Sequence, residues 1–393
     1  MGKILDYIQK HGAGKYQCYS TKKFSLDNDI HDNLEYDDKK ASEDKKGVFA
    51  EEDKTRVQTM TIKDTLIHSD AAPLFSFFLD GSRHTYKVDD IAIGKKIFPI
   101  VAGQIIVGCC QRKNRDEFKK YAINSRIVLS MPTDFDIDDE NQNNNFCRLY
   151  CEKINESLQK SSFIKERNIS LNNIFLYDTD GNNDAENIKS KYLSKAIAKI
   201  QNEMTDEEQR LVERLCRENK LDDEHFLIKD GSLEYNPKYS NLSRAEWNIL
   251  RSNYKYVVGV SKSFDPELIP DYEGNKLSKT IANLKPYERT KVYQYNSKHT
   301  NAYFAVWYLR LRNKDYRENH FSDIIKCEMV LKGENDYIRT ELIDLISANL
   351  IREAYPVCYG KDTRWANHLY PVYLTETFCK AHYISDEIIF KIF

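Results

Sequence analysis

The chain has 393 residues, 41% of them hydrophobic and 31% charged, and its 59 basic and 61 acidic residues leave a formal charge of −2. That length can bury a sizeable core, in one elaborated domain or two to three modules. The near-neutral balance excludes a bulk polycation, so any grip on nucleic acid must come from a local basic surface or a lined channel.

Residues 1–19 read as a short helix and turn, and residues 20–58 as a polar, charge-dense arm (DDKKASEDKKG, EEDKTR). A short helix is expected at MTIKDTLIHSD. Three strands then follow in quick succession: LFSFFLD (74–80), HTYKVDDIAI (84–93) and KIFPIVAGQIIVGCC (96–110). Their β-branched and aromatic content, with short polar joints, predicts an antiparallel meander. SRIVLSMP (125–132) is a fourth strand, and DFDIDDENQNNN (134–145) a solvated loop. A helix is expected over 146–160, a strand at 173–179 and a charged helix from about 184 to 219, followed at once by the strand HFLIKD (225–230). Strands are expected at 254–264, twice within 290–311 and at 324–333, then an amphipathic helix over 336–354 and a helical tail. Grouped strands followed by alternating helix and strand predict an α/β fold built on a mixed sheet.

Nine cysteines, at 18, 109, 110, 147, 151, 216, 327, 358 and 379, form no CxxC pair. Cys147 and Cys151 lie one helical turn apart with no second pair to complete a zinc site, so free buried thiols are expected. MGKILDYIQKHGAG lacks the apolar core of a signal peptide, and IFPIVAGQIIVGCC (97–110) is too short and strand-like to cross a bilayer. The sequence reads as cytoplasmic, with no membrane association.

The tripeptide Asp-Gly-Ser occurs twice, at 80–82 and 230–232, each time where a short apolar run stops. Two polar turns would explain it. The alternative is two strand-end carboxylates facing one site, where the glycines let a phosphate backbone approach. Two such carboxylates repel unless a divalent cation neutralises them. A third acidic group would complete a pair of oxygen-ligated ions able to bind a scissile phosphate and activate water. The helix before the second strand offers Glu207, Glu208 and Glu213. Glu208 shares a face with Leu211, Val212 and Leu215, and Glu213 lies beside Val212 and Cys216, so periodicity does not choose between them.

In this order the motifs resemble the NurA nucleases, an RNase H-like group that works with HerA-type hexameric ATPases. The resemblance covers roughly residues 70–393. It implies an RNase H-like mixed sheet flanked by helices, with inserted helices and an N-terminal arm. The division it suggests is 1–60 for the arm and 61–393 for the nuclease domain, with an insertion at about 112–190. In that family a glutamate precedes the second aspartate by a set interval, which Glu213, seventeen residues before Asp230, matches. VVGVSKSF (257–264) resembles the family's next strand, which implies that Lys262 faces the site. The family's C-terminal tyrosine-proline corresponds to Tyr370-Pro371. Phe378 stands where the family carries a histidine, and His382, one helical turn later, is the candidate for that role. The resemblance thus implies catalytic roles for Asp80, Glu213, Asp230, Lys262, Tyr370 and His382, with two Mn2+ or Mg2+ ions on the three carboxylates. It also implies DNA as substrate, a homodimer, and a HerA-type ATPase as partner in DNA end processing or anti-phage defence.

Other features carry less. DTDGNND (178–184) has its glycine misplaced for a calcium loop and reads as a solvated turn. Lys189, Lys191, Lys195 and Lys199 form a stripe that reads as a solvated face. Arg310, Arg312 and Lys314, following Trp307 and Tyr308, interleave cations with aromatics as a nucleic-acid surface does. Arg83 and His84, beside Asp80, are further candidates for phosphate. Two other readings of the chain are a catalytically silent RNase H-like nucleic-acid-binding module and a regulatory partner of an ATPase ring.

Overall fold

The structure, a computed structural model, describes residues 2–11, 16–19, 23–26, 46–115, 117–135, 143–179, 188–234, 244–297, 302–312, 320–354 and 367–393. Helix α1 (Lys3–His11) opens the chain and buries Ile4, Leu5 and Ile8. Three short strands, β1 (Tyr16–Tyr19), β2 (Phe24–Ser25) and β3 (Thr59–Thr61), and the single-turn helix α2 (Asp64–Ile67) lead to three long strands. These are β4 (Phe75–Ile93), β5 (Lys96–Arg112) and β6 (Phe118–Pro132), an antiparallel meander. The sequence suggests two strands separated at Asp80-Gly81-Ser82. Instead the tripeptide runs through one 19-residue strand, and its ladder with β5 continues from Asp80–Gly108 to Ser82–Ile106. Pairing with β5 and burial of the flanking residues override the local turn preference of Asp-Gly.

Helices α3 (Asn143–Leu158) and α4 (Ser162–Glu166) lead to β7 (Asn173–Tyr177), parallel to β6. In the long helix α5 (Ile188–Arg217), Ala196, Ile200, Met204, Leu211 and Leu215 are buried on a stripe at helical spacing. It returns the chain to β8 (Phe226–Asp230), parallel to β4, and α6 (Arg244–Asn253) leads to β9 (Val257–Ser261), parallel to β8. Past α7 (Ser278–Ala282) come β10 (Glu288–Thr290), β11 (Tyr293–Ser297), β12 (Ala302–Arg310) and β13 (Ile324–Leu331). Among the described residues thirteen strands join one mixed sheet, whose main path is β3-β10-β12-β13-β9-β8-β4-β5-β6-β7. Helices α8 (Thr340–Arg352), α9 (Tyr370–Lys380) and α10 (Asp386–Ile392) follow. The fold is therefore α/β, a large mixed sheet flanked by helices.

The described parts of residues 1–60 are woven into this sheet. β1 and β2 pair with β4, and β3 pairs with β10. Glu51, fully buried, meets Arg289 at 2.9 Å and Lys291 at 2.5 Å, the pairing a buried charge requires. The eight described cysteines are free, while Cys358 lies outside the described residues. No described helix is long and apolar enough to cross a membrane.

Candidate metal centre

Side chains alternate between the two faces of a strand, so register decides which residues meet. β4 pairs Leu79 with Lys229 on β8, and β8 pairs Asp230 with Val260 on β9. Asp80 and Asp230 therefore sit side by side on one face, and Lys262, two residues past Val260, joins them. Helix α9 covers this face: a Cβ on Gly108, opposite Asp80, would lie 2.4 Å from Cys379 Sγ. Pro371 fits the first turn of α9, where a missing N–H costs little. One and a half turns on, the helix delivers Glu376 to the two aspartates.

One oxygen each from Asp80, Asp230 and Glu376 lies within 4.8 Å of the others. Lys262 Nζ contacts Asp230 at 2.8 Å and Glu376 Oε2 at 3.6 Å. Glu376 is also paired with the more exposed Lys380 at 2.7 Å. Burial first, and the neighbouring Asp230 charge second, hold the Asp80 carboxyl well above the usual carboxylate range. Burial opposes the Lys262 charge, but Asp230, Glu376 and Asp80 outweigh it and raise its pKa. For Glu376 burial acts upward, yet Lys262, Lys380 and His368 together bring it down to about 2. The donor set suits a hard cation: three carboxylates, among them a buried Glu376 Oε2 that accepts no hydrogen bond. Without a cation, Lys262 is the charge that holds the cluster together. We expect Lys262→Met to cost the metal-free protein about 3–5 kcal/mol, because buried carboxylates lose their partner. Saturating Mn2+ is expected to restore part of that loss, as thermal unfolding with and without the ion would measure.

The opposite face of the same strands belongs to α5. A Cβ on Gly81 would lie 2.3 Å from Glu208 Oε1, and one on Gly103 would lie 2.7 Å from Ile200. Glu208 is buried there and pairs with Lys229 at 2.9 Å. The glycine after Asp80 thus makes room for a glutamate on the far side of the sheet, not for a phosphate backbone. The glycine after Asp230 has another reason: Gly231 takes φ +81°, left-handed, where the chain leaves β8. Its neighbour Ser232 donates to Glu328 Oε1 at 2.8 Å.

The other sequence-derived residues lie elsewhere. Glu213 is on the outer side of α5, partly exposed and paired with Arg217 at 3.3 Å, so the third carboxylate of the cluster is Glu376. Glu207 is buried against Arg126 at 2.7 Å. Tyr370 sits at the start of α9, 40% exposed, and is not one of the clustered residues. His382 is exposed past the end of α9, its Nδ1 2.8 Å from the Phe378 carbonyl. Arg83 donates to Gln201 on the α5 face. His84 lies against the Tyr86 hydroxyl at 2.9 Å and the Tyr383 ring on the other. Arg310 is fully buried and donates to the carbonyls of Ser322, Ala282 and His320, so it braces loops instead of presenting charge. Trp307 and Tyr308 are buried with it, and burial lowers the pKa of the half-buried Arg312. Lys314, most of DTDGNND and most of the 134–145 loop lie outside the described residues.

Sequence reasoning missed Glu376, beside which the buried His368 lies. A signal existed: Glu376 falls on the stripe of α9 that carries buried Val372 and Cys379, where a carboxylate needs a reason.

No protein-family model matches this chain, and no curated protein matches it. Among solved structures, the crystal structure of the NurA nuclease from Sulfolobus solfataricus is similar at 10% identity and a TM-score of 0.36. The match covers 77% of this chain and 78% of that one. A likeness this loose carries no functional weight, and the carboxylate cluster stands on its own geometry.

Proposed function

We propose that the chain is a divalent-metal-dependent deoxyribonuclease that hydrolyses phosphodiester bonds, with Asp80, Asp230 and Glu376 holding Mn2+ or Mg2+. The observation that carries this reading is the cluster itself: three carboxylate oxygens within 4.8 Å, from β4, β8 and α9. Three carboxylates this close repel one another, and a divalent cation between them relieves that repulsion. When bound, such an ion supplies a Lewis acid and lowers the pKa of a bound water beside the phosphate. Lys262 orients Asp230 and Glu376 and adds a fixed positive charge where a phosphate oxygen would sit. The order β6-β5-β4-β8-β9, a meander followed by two strands parallel to its first, supports an RNase H-like core.

The resemblance read from the sequence also motivates a homodimer and a HerA-type ATPase partner. Two properties of this chain favour such an assembly. A near-neutral protein grips DNA better by enclosure than by bulk charge, and the sequence contains no GxxxxGK[ST] loop to power translocation.

Digestion of linear single- and double-stranded DNA, with Mn2+ or with EDTA, tests the activity. Cleavage with Mn2+ that EDTA stops is the expected result; equal cleavage in EDTA, or none of either substrate with Mn2+, would overturn it.

A further inference from the structure

A cavity of ≈ 550 Å³ opens at the start of α9, lined among others by His68, Arg112, Arg115, Phe118, Arg352 and Tyr370. Its walls divide by chemistry. Three arginines face one carboxylate, Glu353, which leaves the cavity net positive. Arg112 is fixed: it donates to the Phe75 carbonyl at 3.0 Å, pairs with Glu353, and lies over the Phe118 ring at 4.8 Å. Arg352 donates to the Ala71 carbonyl at 3.1 Å, and Arg115 stands exposed on the rim. The aromatic wall is Phe118 edge-on to Tyr370, their ring centroids 6.5 Å apart, with Tyr370 40% exposed.

A cationic wall beside an exposed aromatic one matches a nucleotide, whose phosphate needs fork-shaped donors and whose base needs a flat apolar partner. Position narrows the choice. Tyr370 and Glu376 stand on one helix, six residues and so about 9 Å apart along its axis. Tyr373, 37% exposed, lies between them one turn on. We propose that this cavity is a binding subsite for a single nucleic-acid strand. It seats one nucleotide of a strand that runs on along α9 toward the carboxylates, with the base on Tyr370 and Phe118 and the phosphate on Arg115 and Arg352. A base held this way is unstacked and unpaired, so the subsite selects single strands or frayed ends over intact duplex. That the same strand is cut rests on the nuclease reading; the binding does not.

The test is fluorescence anisotropy with a 5′-fluorescein dT12 oligonucleotide in EDTA, where binding is read without cleavage. Tyr370→Ala is expected to weaken dT12 binding roughly tenfold, and Tyr370→Phe to bind as wild type. Arg115→Ala and Arg352→Ala are each expected to reduce the slope of log K against log salt by about 0.7, the value for one phosphate contact on a single strand. A blunt 12-base-pair duplex is expected to bind each variant as it binds wild type. Unchanged dT12 affinity in Tyr370→Ala with an unchanged salt slope in both arginine variants would overturn the proposal. So would equal losses on the duplex, or no binding of dT12 by the wild type. If the oligonucleotide binds as stated but Mn2+ produces no cleavage, the nuclease reading fails and the subsite stands.

Discussion

Asp80→Asn is expected to lower DNA cleavage in Mn2+ by on the order of 10³-fold or more, which is about 4 kcal/mol of transition-state stabilisation. Asp230→Asn should do the same. Each substitution keeps the shape of the side chain and removes a charge, so the effect isolates electrostatics from packing. For Asp80→Asn the folded protein should not suffer in the metal-free state. Asp80 is buried beside the charges of Asp230, Glu376 and Glu208, and burial and repulsion already disfavour its ionised form. A neutral amide there relieves that repulsion, so Asp80→Asn should unfold in EDTA no earlier than wild type. What it should lose is the rise in unfolding temperature produced by Mn2+, because an ion that binds only the folded state stabilises it by mass action. Full cleavage by Asp80→Asn, or an undiminished Mn2+ shift in both variants, would count against the cluster. Loss of cleavage with a large loss of stability in EDTA would mean that the aspartate is structural.

The second large effect concerns stability. Gly81→Ala is expected to destabilise the protein by about 3–5 kcal/mol. The added methyl would arrive 2.3 Å from Glu208 Oε1 and 3.1 Å from Met204 Cγ. The glutamate cannot simply swing away, because its other oxygen is 2.9 Å from Lys229 and both side chains are about 95% buried. Displacing it leaves a buried lysine without its counter-charge. Gly231→Ala, in the matching tripeptide, should cost only about 1–2 kcal/mol, the strain of a left-handed alanine. Chemical denaturation of the two variants gives the comparison directly. A smaller loss at Gly81 than at Gly231 would show that Glu208 relaxes freely.

These two glycines illustrate what the sequence could and could not disclose. The strands were legible because β-branched and aromatic runs carry their own preference, and the amphipathic α5 because its stripe has a clear period. The pairing of Asp80 with Asp230 was suggested by a repeated tripeptide, yet the reasons for the repeat differ: one glycine yields space in mid-strand, the other supplies a left-handed turn. Sequence period put Glu208 on a face with Leu211, Val212 and Leu215, and Glu213 beside Val212 and Cys216. It could not say which face of the sheet α5 covers, since that depends on the register of β4 with β5 and β8. The face turned out to be the one opposite Asp80. Glu376 comes from a helix 146 residues beyond Asp230, and no local motif links the two. Arg310 misled for a related reason. Aromatic and basic residues interleaved along a strand suggest a wet surface, but β12 pairs with strands on either side and is buried on both faces, so alternation exposes nothing.

The choice between Glu376 and Glu213 is where geometry and sequence resemblance part most sharply. Isothermal titration of Mn2+ into wild type, Glu376→Gln and Glu213→Gln, with cleavage assayed on the same samples, separates them. The structure predicts that Glu376→Gln weakens Mn2+ binding by roughly tenfold or more and loses cleavage with it, as removing one carboxylate from a three-carboxylate site should. Glu213→Gln, which disturbs only an exposed pair with Arg217, should match wild type in both within about twofold. Loss of binding and cleavage in Glu213→Gln, with both intact in Glu376→Gln, would contradict the assignment of Asp80, Asp230 and Glu376 as the metal centre.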